Sequence, residues 1–201
     1  QLGRQDILRT FSGVRPLCDD ESDDPSAVTR DYTLALDNTP GEAPLLSVFG
    51  GKLTTYRKLA EAALEQLAPH FAGVMKASWT AGAPLPGGEA MTTVEDLAIQ
   101  LMERLRQLDP ALARRWASTY GSRIWKLLDG AHNLSELGEH LGAGLYAREV
   151  EYLVHEEWAR DADDILWRRT KLGLFLNARQ RERLEQLLSS ESPLEPSTQV
   201  A

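Results

Sequence analysis

The chain has 201 residues, of which 42% are hydrophobic and 26% are charged, and it carries a formal net charge of −8. This length and composition are typical of a globular protein with one large or two small cores. The acidic balance argues against nonspecific nucleic-acid binding, because phosphates call for a basic surface. Within the given sequence no apolar run approaches the roughly 18 residues of a membrane-spanning helix, and no segment has the pattern of a secretory signal; a preceding segment could carry either.

The first part of the chain, residues 1–78, is predicted to contain strands and loops followed by one helix. Extended patterns cover residues 11–17 and 32–36, and the second pattern alternates apolar side chains on one face. A turn sequence with Pro and Gly follows. Residues 45–49 are predicted to form a short buried strand that pairs antiparallel with residues 32–36.

That strand continues through Gly50, Gly51 and Lys52 into the start of a helix, which Thr54 or Thr55 is predicted to cap. The positive end of this helix would point back toward the glycines and the lysine. An anionic or electron-rich group would therefore be stabilised there. The pattern is neither a Walker loop nor a dinucleotide fingerprint. On spacing alone, a tight turn with a solvated lysine is the favoured interpretation.

Residues 79–90 are rich in Gly and Pro and are predicted to be a linker. Beyond the linker the pattern is helical throughout, which predicts an all-α domain over residues 91–189 and a flexible tail over residues 190–201. Asp109 and Pro110 have the positions of a helix N-cap and first turn.

Further signals in the helical part support this assignment. Gly121 is predicted to end the helix that starts at Pro110, and Asn177 is predicted to cap the last helix. Core packing is the default explanation for the four tryptophans of this part over any base-stacking role. These are Trp116, Trp125, Trp158 and Trp167.

Metal chemistry finds no support in the sequence. The acidic run at residues 19–24 lacks the glycine and the terminal glutamate of a calcium loop, so a solvated loop is the better interpretation. Cys18 is the only cysteine, which excludes an internal disulfide and fits a reducing compartment. No Cys/His spacing makes a zinc site. We expect no metal site.

Four segments carry a resemblance to a known family. Residues 12–20, 29–32 and 49–57 resemble the FAD-dependent glycerol-3-phosphate dehydrogenases in order and spacing, and residues 156–173 resemble the signature of the helical C-terminal domain in the same family. The family's N-terminal half, with its G-x-G-x-x-G turn, is absent. We therefore expect an α+β fragment, in which short strands and a helix form the C-terminal remnant of an FAD-dependent oxidoreductase domain and an all-α domain follows.

The resemblance implies roles for particular residues. Arg15, which precedes Pro16 and is biased toward extended backbone, is expected to bind the substrate phosphate and to act in catalysis. Arg30 is expected in the substrate pocket, although a local ion pair with Asp31 is an alternative. Lys52 is expected to contact substrate and flavin and to act in catalysis. The residues expected to bind the cofactor are Gly50, Gly51, Lys52, Leu53 and Thr54.

The resemblance also implies an activity and partners. The complete enzyme would oxidise sn-glycerol 3-phosphate to dihydroxyacetone phosphate and pass electrons from FAD to a quinone, in peripheral contact with the cytoplasmic face of a membrane. The isolated chain would be inactive and would not retain FAD without the N-terminal FAD domain. The alternatives are another FAD-dependent oxidase of the same superfamily, or a helical docking or dimerisation module without catalysis. A homodimer is compatible with either class.

Overall fold

The computed structural model describes residues 2–14, 31–73, 76–89 and 93–190. The chain divides into two compact units, Gln1–Ala83 and Pro84–Ala201. The linker and domain boundaries inferred from composition stay a prediction, and the tail beyond residue 190 lies outside the described residues.

The first unit contains a β-hairpin and a helix. Strand β1 (Tyr32–Asp37) pairs antiparallel with β2 (Leu45–Gly50), and the register places Tyr32 opposite Gly50. Helix α1 (Tyr56–Leu67) follows after a 3-10 turn at Leu53–Thr55. The antiparallel pair and the helix predicted from the sequence are confirmed.

Two predictions for this unit are wrong. The strand β2 is not buried, since Leu45 is 63% exposed, Val48 46% and Phe49 52%. The sheet has two strands in the described part of the chain, and an apolar strand is buried only when further elements cover its faces. Residues 11–14 form no strand, and residues 15–17 of that predicted extended segment lie outside the described residues.

The second unit is dominated by helices. Its helices are α2 (Val94–Arg104), α3 (Pro110–Tyr120), α4 (Ile124–Leu128), α5 (Ala147–Glu157) and α6 (Ala178–Ser190), with a π-helical segment at Asp164–Arg169. The Asp109 carboxylate accepts hydrogen bonds from the amides of Ala111 and Leu112 at 2.9 and 3.1 Å, and Gly121 ends α3. The Asn177 side chain accepts from the Gln180 amide at 3.0 Å. The predicted caps of these two helices are confirmed.

The prediction of an all-α second part is wrong. A small antiparallel hairpin, β3 (His140–Gly142) and β4 (Leu145–Tyr146), lies before α5. Its turn is formed by Ala143 and Gly144, which both have positive φ angles of 49° and 74°. The strands are too short to show the alternating pattern by which a strand is recognised in a sequence. The described residues thus combine helices with two small sheets.

Among the residues that the structure describes, the fully buried hydrophobic ones all lie in the second unit. Trp116 and Ile124 are completely buried, and Trp167 is packed against the same core. The prediction of core packing is wrong for Trp158, which is 82% exposed. For Trp125 the prediction holds only in part, because 36% of that residue is exposed. Trp158 ends α5 in the left-handed conformation, with φ 59°, and this backbone turns its side chain away from the helix face.

Candidate functional site

The junction between β2 and α1 has a backbone that suits glycine. Gly50 has a φ angle of 72° and Gly51 one of 99°, a region that residues with side chains rarely adopt. A Cβ atom at Gly51 would lie 3.3 Å from Leu59 Cδ1 and 3.6 Å from Tyr32 Cβ. Gly51 therefore allows the chain to pass closely between the sheet and α1, and the neighbouring protein atoms fill the space beside it.

Lys52 follows immediately and is exposed. Within the described residues its ammonium group has no ion pair or hydrogen bond, whereas its backbone is held at both polar atoms. The Lys52 N–H donates to Thr55 Oγ1 at 3.2 Å, and the Lys52 carbonyl accepts from Thr55 Oγ1 and from the Thr55 N–H, each at 3.0 Å. The lysine thus combines a fixed backbone with a side chain that is available to a ligand.

The predicted threonine cap of α1 is wrong in its geometry. Thr55 precedes α1, but its side chain makes no capping hydrogen bond to the helix. Its hydroxyl bonds back to Lys52 instead, because the 3-10 turn at Leu53–Thr55 separates β2 from α1. Thr54 is exposed, and Leu53 is 90% exposed.

The turn offers donors to an electron-rich ligand. The first amide groups of a helical turn have no acceptor inside it, and here the Thr55 hydroxyl accepts from Lys52 rather than from the amides of Leu53 or Thr54. The amides of Leu53 and Thr54 directly follow Lys52 at a positively polarised helix start. These donors fit the electron-rich edge of a flavin ring chemically, and no acidic side chain among the described residues neutralises Lys52.

The other two predicted site residues, Arg15 and Arg30, lie outside the described residues. Lys52 is adjacent in sequence and in space to the glycines and to the exposed turn. All four histidines, at positions 70, 132, 140 and 155, are exposed. Among the described residues no group of three or more His, Cys, Asp or Glu side chains could hold a metal ion.

A cluster in the first unit was missed by sequence reasoning. The Glu61 carboxylate on α1 accepts from Arg57 at 2.8 Å, from Lys58 at 3.0 Å and from Thr80 at 2.5 Å, and it also accepts from the Ser78 hydroxyl. The hydrogen bonds from Ser78, Thr80 and Lys58 lower the pKa of Glu61 to about 2. The i, i+4 spacing of Arg57 and Glu61 could have predicted this ion pair from the sequence. The hydroxyl donors Ser78 and Thr80 could not be predicted in this way, because they come from a segment farther along the chain.

A second cluster lies inside the second unit. Glu149 on α5 is completely buried, and no other polar or charged residue among those the structure describes is classed as buried with it. Its carboxylate accepts from Arg115 at 2.6 and 2.8 Å, from Trp116 Nε1 at 3.1 Å and from the Tyr120 hydroxyl at 2.6 Å. Glu149 precedes the buried Leu153 by four residues, which places both on the same face of α5. This spacing was the signal in the sequence from which the burial of Glu149 could have been predicted.

No helix in the described ranges of the chain is both long and apolar enough to cross a membrane. The carboxylates of Glu61 and Glu149 each accept several hydrogen bonds from protein donors, so we interpret both clusters as structural. The junction at Gly50 to Thr55 is therefore the candidate ligand-binding element of the described residues.

Comparison with known proteins identifies close relatives. The chain is 65% identical over 201 residues to a glycerol-3-phosphate dehydrogenase of Pseudomonas aeruginosa, covering 100% of the chain and 39% of that relative. It is 56% identical over 188 residues to the aerobic glycerol-3-phosphate dehydrogenase of Escherichia coli, covering 94% of the chain and 37% of the relative. It is also 48% identical over 182 residues to a D-erythritol 1-phosphate dehydrogenase of Brucella abortus, covering 90% of the chain and 36% of that relative.

The chain thus spans well under half the length of the relatives that it matches, and the resemblance to glycerol-3-phosphate dehydrogenases is confirmed. A family model described as the C-terminal domain of alpha-glycerophosphate oxidase matches residues 78–190, which is more than half of the chain. The chain therefore belongs to the family of proteins that carry this C-terminal domain.

Proposed function

We propose that the chain is the C-terminal part of an FAD-dependent dehydrogenase that oxidises sn-glycerol 3-phosphate to dihydroxyacetone phosphate and delivers the electrons to a quinone. The observation that carries the proposal is the 65% identity over all 201 residues to a glycerol-3-phosphate dehydrogenase. The exposed Lys52 at the glycine junction agrees with it, because this element offers cationic and amide donors to an electron-rich partner.

FAD would supply the acceptor for the hydride that leaves carbon 2 of the substrate, while the hydroxyl proton leaves to a base and the quinone later takes two electrons and two protons. Lys52 would stabilise the negative charge that the flavin ring would gain with the hydride. Its ammonium group would act with the amides of Leu53 and Thr54, while Gly50 and Gly51 hold the backbone turn. Arg15 and Arg30 would bind the substrate phosphate, for which a guanidinium fork is suited.

The first unit would be the end of the FAD domain, with the remaining strands and the dinucleotide-binding turn supplied by another part of the enzyme. The exposure of Leu45, Val48 and Phe49 on β2 supports this proposal, because such a strand is expected to be covered in a complete sheet. The chain alone would then be inactive and would not retain FAD. The complete enzyme would lie peripherally at the cytoplasmic face of a membrane, where the quinone is found.

The test is glycerol-3-phosphate-dependent bleaching of the flavin absorbance in the complete polypeptide, beside its Lys52→Ala and Arg15→Ala variants. We expect bleaching in the parent and slowing by roughly 100-fold or more in both variants, as for the loss of one charge-stabilising donor. The matched control is Lys76→Ala, which removes another exposed lysine of the first unit and should bleach normally. Normal bleaching in Lys52→Ala would return this lysine to a solvated surface role.

A second candidate substrate follows from the relative of Brucella abortus, whose name assigns it D-erythritol 1-phosphate. Both substrates pair a phosphate with a secondary alcohol, so the same arginines and lysine would serve either. Comparing the bleaching rates with the two phosphates at equal concentration separates these candidates.

A non-catalytic docking or dimerisation module is the alternative from another class. The second unit has its own core, with Trp116 and Leu101 completely buried, and this favours a self-standing module. Absence of bleaching with either phosphate in an FAD-loaded parent would make this the better account.

A further inference from the structure

A single side chain holds both backbone polar atoms of Lys52. Thr55 Oγ1 accepts a hydrogen bond from the Lys52 N–H at 3.2 Å and donates one to the Lys52 carbonyl at 3.0 Å. The Thr55 N–H adds a third bond to the same carbonyl at 3.0 Å. The oxygen of a hydroxyl both accepts and donates, so the Thr55 side chain reaches both polar atoms of the Lys52 backbone from one position.

The need for such a restraint comes from the residues before Lys52. Gly50 and Gly51 have φ angles of 72° and 99°, and glycine has more accessible backbone conformations than any other residue. Lys52 itself is exposed, and its ammonium group has no partner in the part of the chain that the structure describes. In the described part of the chain, the hydrogen bonds of the Lys52 backbone go to Thr55, so Thr55 restrains the residue that follows the two glycines.

We propose that Thr55 is a positioning residue: it holds the Lys52 backbone and thereby fixes the direction in which the lysine side chain extends toward its ligand. The inference rests on the proposed function of Lys52 and deepens it. Thr55 acts through Lys52 and needs no contact of its own with substrate or cofactor. A misplacement of this kind lowers the rate of a step more than it lowers ground-state binding.

The first experiment compares Thr55→Val, which keeps the branched shape and removes the hydroxyl, with Thr55→Ser, which keeps the hydroxyl. In the complete polypeptide we expect Thr55→Val to slow substrate-dependent flavin bleaching by roughly three- to tenfold, the range of one or two hydrogen bonds. The substrate concentration at half-maximal rate should change less than twofold, and Thr55→Ser should restore the parent rate.

Thr39→Val is the matched control, because Thr39 is an exposed threonine of the same hairpin whose hydroxyl bonds to Asp37 at 3.1 Å. It should leave bleaching unchanged. Amide hydrogen exchange provides a readout independent of activity: the Lys52 amide should exchange several-fold faster in Thr55→Val than in the parent or in Thr55→Ser. Unchanged exchange at Lys52 would overturn the proposal.

A double-mutant cycle separates this inference from the proposed function. If Thr55 acts through Lys52, Thr55→Val should slow bleaching in the parent and add nothing in a Lys52→Ala background. An equal further loss in that background would show a general structural role and overturn the inference. If Lys52→Ala bleaches slowly while Thr55→Val bleaches at the parent rate, only the positioning role of Thr55 is overturned. If the parent does not bleach, the proposed function itself is contradicted.

Discussion

The carboxylate of Glu149 on α5 receives both terminal guanidinium nitrogens of Arg115 on α3, at 2.6 and 2.8 Å. The two residues are 34 positions apart, and Glu149 is completely buried. Burial opposes the charge of Arg115, but the hydrogen bond and the negative charge of Glu149 outweigh it and raise the pKa of Arg115. This ion pair ties two helices of the second unit together.

The first prediction concerns the charge of this pair. Replacing Glu149 by Gln keeps the shape but leaves the largely buried Arg115 without a counter-charge, and the free energy of unfolding should fall by about 3–5 kcal/mol. Urea denaturation of the chain measures the change. The control is Glu139→Gln, which breaks the exposed pair with Arg183 and should lower the free energy of unfolding far less, because solvent screens that pair. Equal losses of unfolding free energy in Glu149→Gln and Glu139→Gln would contradict a buried ion pair between Glu149 and Arg115.

The second prediction concerns the Tyr120 hydroxyl, which donates to the same carboxylate at 2.6 Å. Burial and the nearby Glu149 charge raise the pKa of Tyr120, so that it stays a donor at neutral pH. Tyr120→Phe should lower the free energy of unfolding by about 1.5–3 kcal/mol, the range for a hydrogen bond to a charged group. The ring contact with Tyr152, at a centroid distance of 5.4 Å, should be kept.

An unchanged free energy of unfolding in Tyr120→Phe would show that the hydrogen bond from the Tyr120 hydroxyl to Glu149 does not stabilise the fold. Tyr146→Phe is a suitable comparison, because Tyr146 lies in the same core with its ring against Trp116 and has no hydroxyl bond to Glu149. Its loss of stability should be the smaller of the two.

The third prediction is a pH dependence at Glu61, whose pKa is lowered to about 2 from an ordinary 4.5 by donors on three side chains. A carboxylate with a lowered pKa in the folded state stabilises the fold above pH 4.5, and this stabilisation is lost as the pH falls from 4.5 toward 2. Glu61→Gln should therefore lower the melting temperature of the first unit at pH 7, and the difference from the parent should shrink below pH 4.5.

Glu65→Gln provides the control for this experiment, since Glu65 is exposed on the same helix and has no hydrogen-bond partner among the described residues. Thermal unfolding of both variants between pH 3 and pH 7 gives the comparison. A constant difference between Glu61→Gln and the parent over this range would contradict the assigned cluster.

The fourth prediction concerns Trp158, which ends α5 with a φ angle of 59° and is 82% exposed. A left-handed residue with a side chain is strained, and glycine relieves the strain. Trp158→Gly should therefore be more stable than Trp158→Ala by about 0.5–1 kcal/mol. Chemical denaturation of the pair measures this, and a less stable glycine variant would show that the backbone is not strained there.

Much of the local structure could be predicted from the sequence. The caps at Asp109 and Asn177, the hairpin of the first unit and the strand-to-helix junction at Lys52 all follow from signals within a few residues of one another. Such signals act through the backbone and through short side chains, so they need no information about the rest of the fold. The family was also recognisable from short segments of the sequence.

The candidate site was predicted in position but not in detail. The bonds of Thr55 to Lys52 replaced the expected cap of α1, because an intervening 3-10 turn decided which amide the hydroxyl could reach. Arg15 and Arg30 stay predictions. The short hairpin at His140–Tyr146 escaped notice because its strands are too brief for a periodic pattern to appear.

The sequence by itself thus determined the family, the helix starts capped by Asp109 and Asn177, and the lysine that follows β2. Only the tertiary structure decided that Glu149 is buried against Arg115, that Ser78 and Thr80 converge on Glu61, and that Trp158 faces solvent. The physical reason is that burial and charge pairing depend on which distant elements the fold brings together, whereas capping and turn formation depend on neighbours along the chain.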